Sequence, residues 1–272
     1  MTIEFSKMSG AGNDFIVLGP SYSSLKARAA DLARRLCVRR TSVGADGLII
    51  VEHSGELVMH YYNSDGSRAD FCGNGARCVV VFCVAKGIAE GRVAFRSGSG
   101  YHVGETTDGG ARVSMNPACR ERELSLAVGV STYHIYLMKA GVPHAVIISD
   151  QVDGLDVEHI GRAIRSDPAF GEQGANVDFV ADLGSGEFAI RTYERGVERE
   201  TLACGSGCVA AAHLLREKGL AGDLVSLRVA SGDRLKVELP RSNGEDSFLV
   251  GPARIVFEGT LCLDTIEAGP EK

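Results

Sequence analysis

The sequence predicts an α/β protein built from two copies of one domain, and three observations carry that prediction. The chain has 272 residues, which suits two domains at about 150 residues each. Strand-like runs alternate with glycine turns along it, with a few helical segments among them. Finally, Cys72-Gly73-Asn74-Gly75 returns as Cys204-Gly205-Ser206-Gly207, at an offset of 132 residues (204 − 72). The same offset carries Lys86-Gly87 onto Lys218-Gly219, Ser99-Gly100 onto Ser231-Gly232 and Tyr61 onto Tyr193. Coincidences at one spacing near half the chain length point to a duplicated unit, not to a short-period solenoid. Each unit is expected to run sheet, Gly turn, buried helix, sheet, with the two cysteine turns facing each other across a pseudo-twofold cleft.

In chain order, Ile3 to Lys7 reads as a strand, Gly10-Ala11-Gly12-Asn13 as a turn, and Phe15 to Leu18 as a second apolar strand. From about Ser24 to Cys37, Leu25, Ala29, Leu32, Ala33 and Leu36 recur at helical spacing, predicting an amphipathic helix with a basic outer face. Gly44-Ala45-Asp46-Gly47 turns into a strand from Leu48 to Glu52, with Leu57 to Tyr62 as its partner, and Asn63-Ser64-Asp65-Gly66 is a turn signal. Cys78 to Ala85 is apolar on every side, which fits a helix wrapped by protein. Lys86-Gly87 closes that helix with a basic last turn and a glycine just past the end. Strands and Gly turns continue to Met115-Asn116-Pro117, where a domain junction is expected. The halves are therefore set at 1–117 and 118–261, with a tail of about 262–272 that packs back on the first.

Composition removes several function classes. The net charge is −6, whereas a general phosphate-backbone binder presents a basic footprint. Trp is absent and aromatic residues make up 6%, so base-stacking platforms are scarce and no nucleic-acid partner is expected. No apolar run approaches the roughly 20 residues that span a bilayer, and no secretory signal opens the chain. The reading is cytoplasmic, with no membrane partner. Glycine supplies 34 of the 272 residues, well above the usual share of about 7%, and the position of that excess is the main clue.

The eight cysteines fit neither a disulfide scaffold, which is shorter and richer in Cys, nor zinc, because no CxxC occurs. Two of them sit in the repeated turns. Small residues after each cysteine let backbone N–H groups approach a ligand, and a helix start leaves such donors free. The helix N-terminus favours an anion, either a substrate carboxylate or the thiolate itself, so a lowered thiol pKa is expected there. One such turn alone reads as a tight turn around a buried thiol. Two, related by duplication, suit inversion of a stereocentre: one thiolate removes a proton from carbon while the opposing thiol delivers one to the other face. Helix N–H groups around the carboxylate and exclusion of water would help to stabilise the carbanion. A tyrosine-phosphatase loop needs Cys-x5-Arg, and Cys72 to Arg77 is one residue short; neither turn supplies a dinucleotide fingerprint.

These residues resemble the diaminopimelate epimerase family. The resemblance rests on Phe5 to Phe15, on Asn63 to Ser67 and Cys72 to Cys78, on Gly174 to Phe179, and on Tyr193 to Gly196 with Thr201 to Gly207. It implies α/β (α+β) architecture: two pseudo-symmetric domains, each a mixed curled β-sheet around a central buried helix, with the active site in the interdomain cleft. It implies an isomerase that interconverts LL- and meso-2,6-diaminopimelate in lysine and peptidoglycan precursor biosynthesis, without pyridoxal phosphate, other cofactor or metal. Cys72 and Cys204 would be the acid/base pair, with Cys204 accepting the proton of the LL substrate. His144 and Glu194 would tune the thiols. Asn13, Asn63, Asn176, Glu194 and Arg195 would contact substrate, while Gly73, Asn74, Gly205 and Ser206 hold the reacting carboxylate. That set makes chemical sense, since the idle end of the substrate needs a cation for its carboxylate, an anion for its ammonium, and amides that fix its handedness. Several family members carry Asn before the Pro143-His144 pair, where this chain has Val142. The family also implies a homodimer.

Two other readings are weighed. A racemase for proline or histidine would leave the distal set Asn63, Asn176, Glu194 and Arg195 without a purpose. A non-enzymatic anion-binding module would make both thiols dispensable. The remaining cysteines, Cys37, Cys78, Cys83, Cys119, Cys208 and Cys262, are read as structural, buried residues.

Overall fold

A computed structural model of the chain describes residues 2–242 and 245–263. The chain divides into two compact units, Met1–Val113 with Pro252–Lys272, and Ser114–Gly251. Each unit contains a long, buried helix opened by one of the repeated cysteines, and each has the same order of strands.

In the first unit the order across the sheet is Arg254–Cys262, Thr2–Gly10, Asn13–Leu18, Gly47–His53, Leu57–Asn63, Arg92–Ser97, Gly100–Thr107 and Gly110–Met115. Successive pairings run antiparallel, antiparallel, parallel, antiparallel, parallel, antiparallel, antiparallel. The helix α1 (Ala29–Leu36) makes the first parallel crossover and α2 (Gly73–Ala85) the second. Both faces of the central strands are covered, which is why Phe15 to Leu18 and Leu48 to Val51 are continuously apolar. Ile16, Leu18, Leu48 and Ile50 pack with Leu32 and Leu36 of α1. The other face curls around α2, which contacts strands from both ends of the sheet.

The predicted helix from Ser24 to Cys37 forms only in its second part. Pro20–Arg28 is a 3-10 helix, since Ser21, Ser23 and Ser24 compete for backbone hydrogen bonds and Pro20 supplies no N–H. Gly87 follows α2 with φ of 65°, the left-handed residue expected past a helix end.

The second unit repeats the pattern. Its strands are Cys119–Val128, Ser131–Ala140, Val142–Ile148, Asn176–Gly184, Glu187–Glu194, Leu224–Arg228, Arg234–Glu238 and Ser247–Pro252. The alternation of antiparallel and parallel pairings is the same. Here α3 (Val157–Arg165) and α4 (Gly205–Glu217) make the parallel crossovers. Asp156 caps α3 by accepting from the His159 N–H at 3.0 Å. Ile160 and Ile164 of α3 pack on Ala145, Val177, Phe179 and Tyr193.

Two expectations need correction. The strand Arg254–Cys262, set in the second half by the sequence, pairs with Thr2–Gly10 and lies in the first unit. It is the structural counterpart of Cys119–Val128, which the second unit obtains from its own segment. The tail expected to pack back reaches the first unit as far as Leu263, which is buried with Ile3 and Phe5; residues 264–272 lie outside the described residues. Second, Cys37, Cys78, Cys83 and Cys208 are buried, but Cys119 and Cys262 are exposed, Cys119 at the start and Cys262 at the end of an outer strand. Among the described residues, no helix is long and apolar enough to cross a membrane.

Candidate active site

Both repeated cysteines stand at the N-cap of a buried helix. Cys72 and Cys204 have extended backbones, with φ/ψ of −142°/116° and −118°/110°. Their carbonyls accept the first helical hydrogen bonds, from the N–H groups of Ala76 at 2.8 Å and Cys208 at 3.0 Å. The N–H groups of the first turn, at Gly73, Asn74 and Gly75 and at Gly205, Ser206 and Gly207, have no acceptor within the helix itself. The turns therefore present the anion-favouring helix end that the sequence predicted.

Around Cys72 the side chains form a chain of amides. Asn74 Nδ2 donates to Asn13 Oδ1 at 2.6 Å, and Asn13 Nδ2 donates to Asp46 Oδ2 at 3.0 Å. Arg77, fully buried, donates to Asn74 Oδ1 at 2.8 Å. Asp46 and Asp14 share Arg39, whose Nη2 lies 2.9 Å from Asp46 and 2.6 Å from Asp14. Thus the predicted Asn13 and Asn74 are brought together. Asn63 donates to Ser67 Oγ at 3.0 Å across the turn at the end of its strand.

Around Cys204 the second unit assembles Ser206, His144, Asn176, Glu194 and Arg195. Ser206 Oγ lies 3.5 Å from Cys204 Sγ and 3.1 Å from His144 Nε2. Asn176 Nδ2 lies 3.4 Å from the same ring nitrogen, and Asn176 Oδ1 accepts from the Arg195 backbone N–H at 2.8 Å. Glu194 accepts from Thr201 Oγ1 at 2.9 Å, and the Arg195 guanidinium reaches Gln173 Oε1 at 3.4 Å.

The expected lowering of the thiol pKa is overturned at Cys204. Burial pushes this thiol well above its ordinary value, and the negative charges of Glu194 and Asp178 push it further. The Ser206 hydroxyl and the Gly207 backbone N–H favour the thiolate but do not outweigh burial. Desolvation of the charge exceeds what a helix end supplies.

Sequence reasoning missed Asp178. It is fully buried, accepts from Thr192 Oγ1 at 2.7 Å, and lies 2.7 Å from His144 Nδ1. His144, Asp178 and Cys204 place their ligand atoms within 4.8 Å of one another.

A profile of the family described as "Diaminopimelate epimerase" matches residues 5–120 and 136–256. The chain is similar to the diaminopimelate epimerase of Hydrogenobaculum sp. (strain Y04AAS1), with 38% identity over 275 residues, 94% of this chain and 97% of that one. It is also similar to the diaminopimelate epimerase of Aquifex aeolicus (strain VF5), with 37% identity covering 97% of this chain and 100% of that one. Among solved structures, a probable proline racemase from Agrobacterium radiobacter K84 shares the fold. Its TM-score is 0.73 at 16% identity, covering 96% of this chain and 93% of that one.

Proposed function

The chain belongs to the diaminopimelate epimerase family and is an isomerase of diaminopimelate in lysine biosynthesis; we propose that Cys72 and Cys204 are the two groups that exchange the Cα proton. What supports this assignment is the duplication: two copies of one fold each open a buried helix with Cys-Gly-x-Gly. A two-base inversion needs a proton acceptor and a proton donor on opposite faces of one carbon. In each direction one sulfur takes the proton and the other gives one, so the roles exchange when the reaction reverses. The first-turn N–H groups of Gly73, Asn74, Gly205 and Ser206 hold the reacting carboxylate and stabilise the charge that develops as the proton leaves.

The distal amino-acid end is read by Arg195 and Glu194, opposite in charge and adjacent in sequence, together with Asn13, Asn63 and Asn176. Each of these amides is already engaged within its unit, with Asn74, Ser67 and Arg195 respectively. They reach substrate through the second hydrogen or lone pair of each amide. His144 acts on the second thiol through Ser206, and Glu194 acts on it by charge. The enzyme works as a cytoplasmic homodimer, a reading that rests on the family resemblance alone.

The deciding experiment incubates the enzyme with LL-diaminopimelate in heavy water, without added cofactor, and follows stereochemistry and deuterium at Cα. Epimerisation with solvent deuterium entering the product is expected, together with its loss in Cys72→Ala and in Cys204→Ala. Undiminished turnover in either variant would sink the two-thiol assignment. Turnover of proline or histidine at a comparable rate would favour the racemase reading.

A further inference from the structure

Hydrogen-bond directions around Cys204 are fixed by one group that cannot be reversed, the backbone N–H of Arg195. Because it donates to Asn176 Oδ1, the Asn176 Nδ2 group is the one turned to His144 Nε2. A donor facing Nε2 leaves that nitrogen as the acceptor, so the ring proton sits on Nδ1 and is given to Asp178 Oδ2 at 2.7 Å. While Cys204 is a thiol, Ser206 donates its hydroxyl hydrogen to Nε2 and accepts from the thiol; once Nε2 is protonated the hydroxyl turns and donates to the thiolate. The result is a continuous path: Cys204, Ser206, His144, Asp178.

Around Cys72 the first unit holds amides instead: Arg77 fixes Asn74 Oδ1 as acceptor, Asn74 Nδ2 donates to Asn13, and Asn13 Nδ2 donates to Asp46.

We propose that Asp178 is a positioning residue of the reaction: by holding the Nδ1–H of His144 it keeps Nε2 open to Ser206, giving the Cys204 thiol a proton path. This rests on the reading of Cys204 as an acid/base group. Along the path, the Cys204 proton moves to Ser206 Oγ as the Ser206 proton moves to His144 Nε2. A thiol and an imidazole thereby become a thiolate and an imidazolium, which faces the Asp178 carboxylate; the reverse transfer restores both. Among the described residues, the charges acting on Cys204 are Glu194, from the end of its strand, and Asp178.

The test is alkylation of the full-length free enzyme by iodoacetamide from pH 6 to 10, with the rates at Cys72 and Cys204 separated by peptide mass spectrometry. Asp178→Asn makes the discrimination by sign. Loss of the carboxylate charge alone would favour the thiolate and speed alkylation of Cys204, whereas loss of the path slows it. The expected result is a slowing of about tenfold at Cys204, one pKa unit, with Cys72 unchanged. Ser206→Ala cuts the path with the Asp178 charge in place and is expected to give the same slowing, so it decides the matter if Asp178→Asn does not fold. Faster alkylation in Asp178→Asn, or an unchanged rate in Ser206→Ala, would overturn the proposal. Because no substrate is present, this outcome is independent of the turnover measurements on the cysteine variants.

Discussion

The Asp178 carboxylate stands where a side chain on residue 207 would have to go: a Cβ built on Gly207 would lie 2.3 Å from Asp178 Oδ1. The last glycine of the second cysteine turn is thus set by a buried acid on the neighbouring strand. At the matching Gly75, a Cβ would meet Ile49 Cδ1 at 3.0 Å and Met59 Cε at 3.1 Å, the far ends of flexible side chains.

The two glycines therefore differ in tolerance. Gly207→Ala is expected to cost about 1–3 kcal/mol, the usual range for overpacking, because the obstructing group is tied to His144 and Thr192. Gly75→Ala is expected to stay within about 1 kcal/mol, since helix propensity offsets part of the adjustment. Urea unfolding of both variants checks the difference, and equal losses would contradict it.

Glu194 raises the Cys204 pKa by its charge. Glu194→Gln removes that charge, so the thiol pKa falls and a larger fraction is thiolate at any pH below it. Iodoacetamide should then modify Cys204 several-fold faster in the free enzyme at pH 8. A rate equal to that of the unmodified enzyme would show that the charge is not felt at the sulfur.

Alkaline stability should follow the buried thiols of the first unit. Burial pushes Cys37, Cys78 and Cys83 each up to about 12 from the ordinary 9.0. Their folded-state values exceed the unfolded ones, so the stability they contribute is complete below about 9 and is lost as pH rises toward 12. Denaturant midpoints should fall with pH across that window, and Cys83→Ala should show a shallower fall.

On the acid side the relevant group is His213, whose Nε2 lies 2.8 Å from Ser247 Oγ. Burial lowers it from 6.5 to about 4, with the Arg216 charge adding to the effect. Its neutral form is favoured by folding, so the unfolded chain binds a proton first as pH falls below 6.5. Stability of the second unit should decline between pH 6.5 and 4, and His213→Gln should flatten that decline in thermal melts.

The parts legible in the sequence are those whose signal is local or repeated. The Cys72 and Cys204 turns, the all-round apolar helix between Cys78 and Ala85, and the strand pair around Ser54 each follow from a few neighbouring residues. His144 was reachable only through a family motif, and its partner Asp178 lies 34 residues away on a parallel strand. One acid between Val177 and Phe179 gives no periodic signal of its own. The thiol pKa was misjudged for a related reason: the helix end is visible in sequence, whereas the burial that outweighs it depends on packing of the whole unit.

The strand Arg254–Cys262, which completes the sheet beside Thr2–Gly10, also bears on synthesis. Domains generally fold as the ribosome releases them, the N-terminal one first. In this chain the first unit emerges early without its edge strand, and the missing strand is translated only after the whole second unit, whose eight strands are contiguous. The second unit is thus the first to have all its strands available, and the Thr2–Gly10 edge has no strand 254–262 to pair with until that segment has emerged from the ribosome.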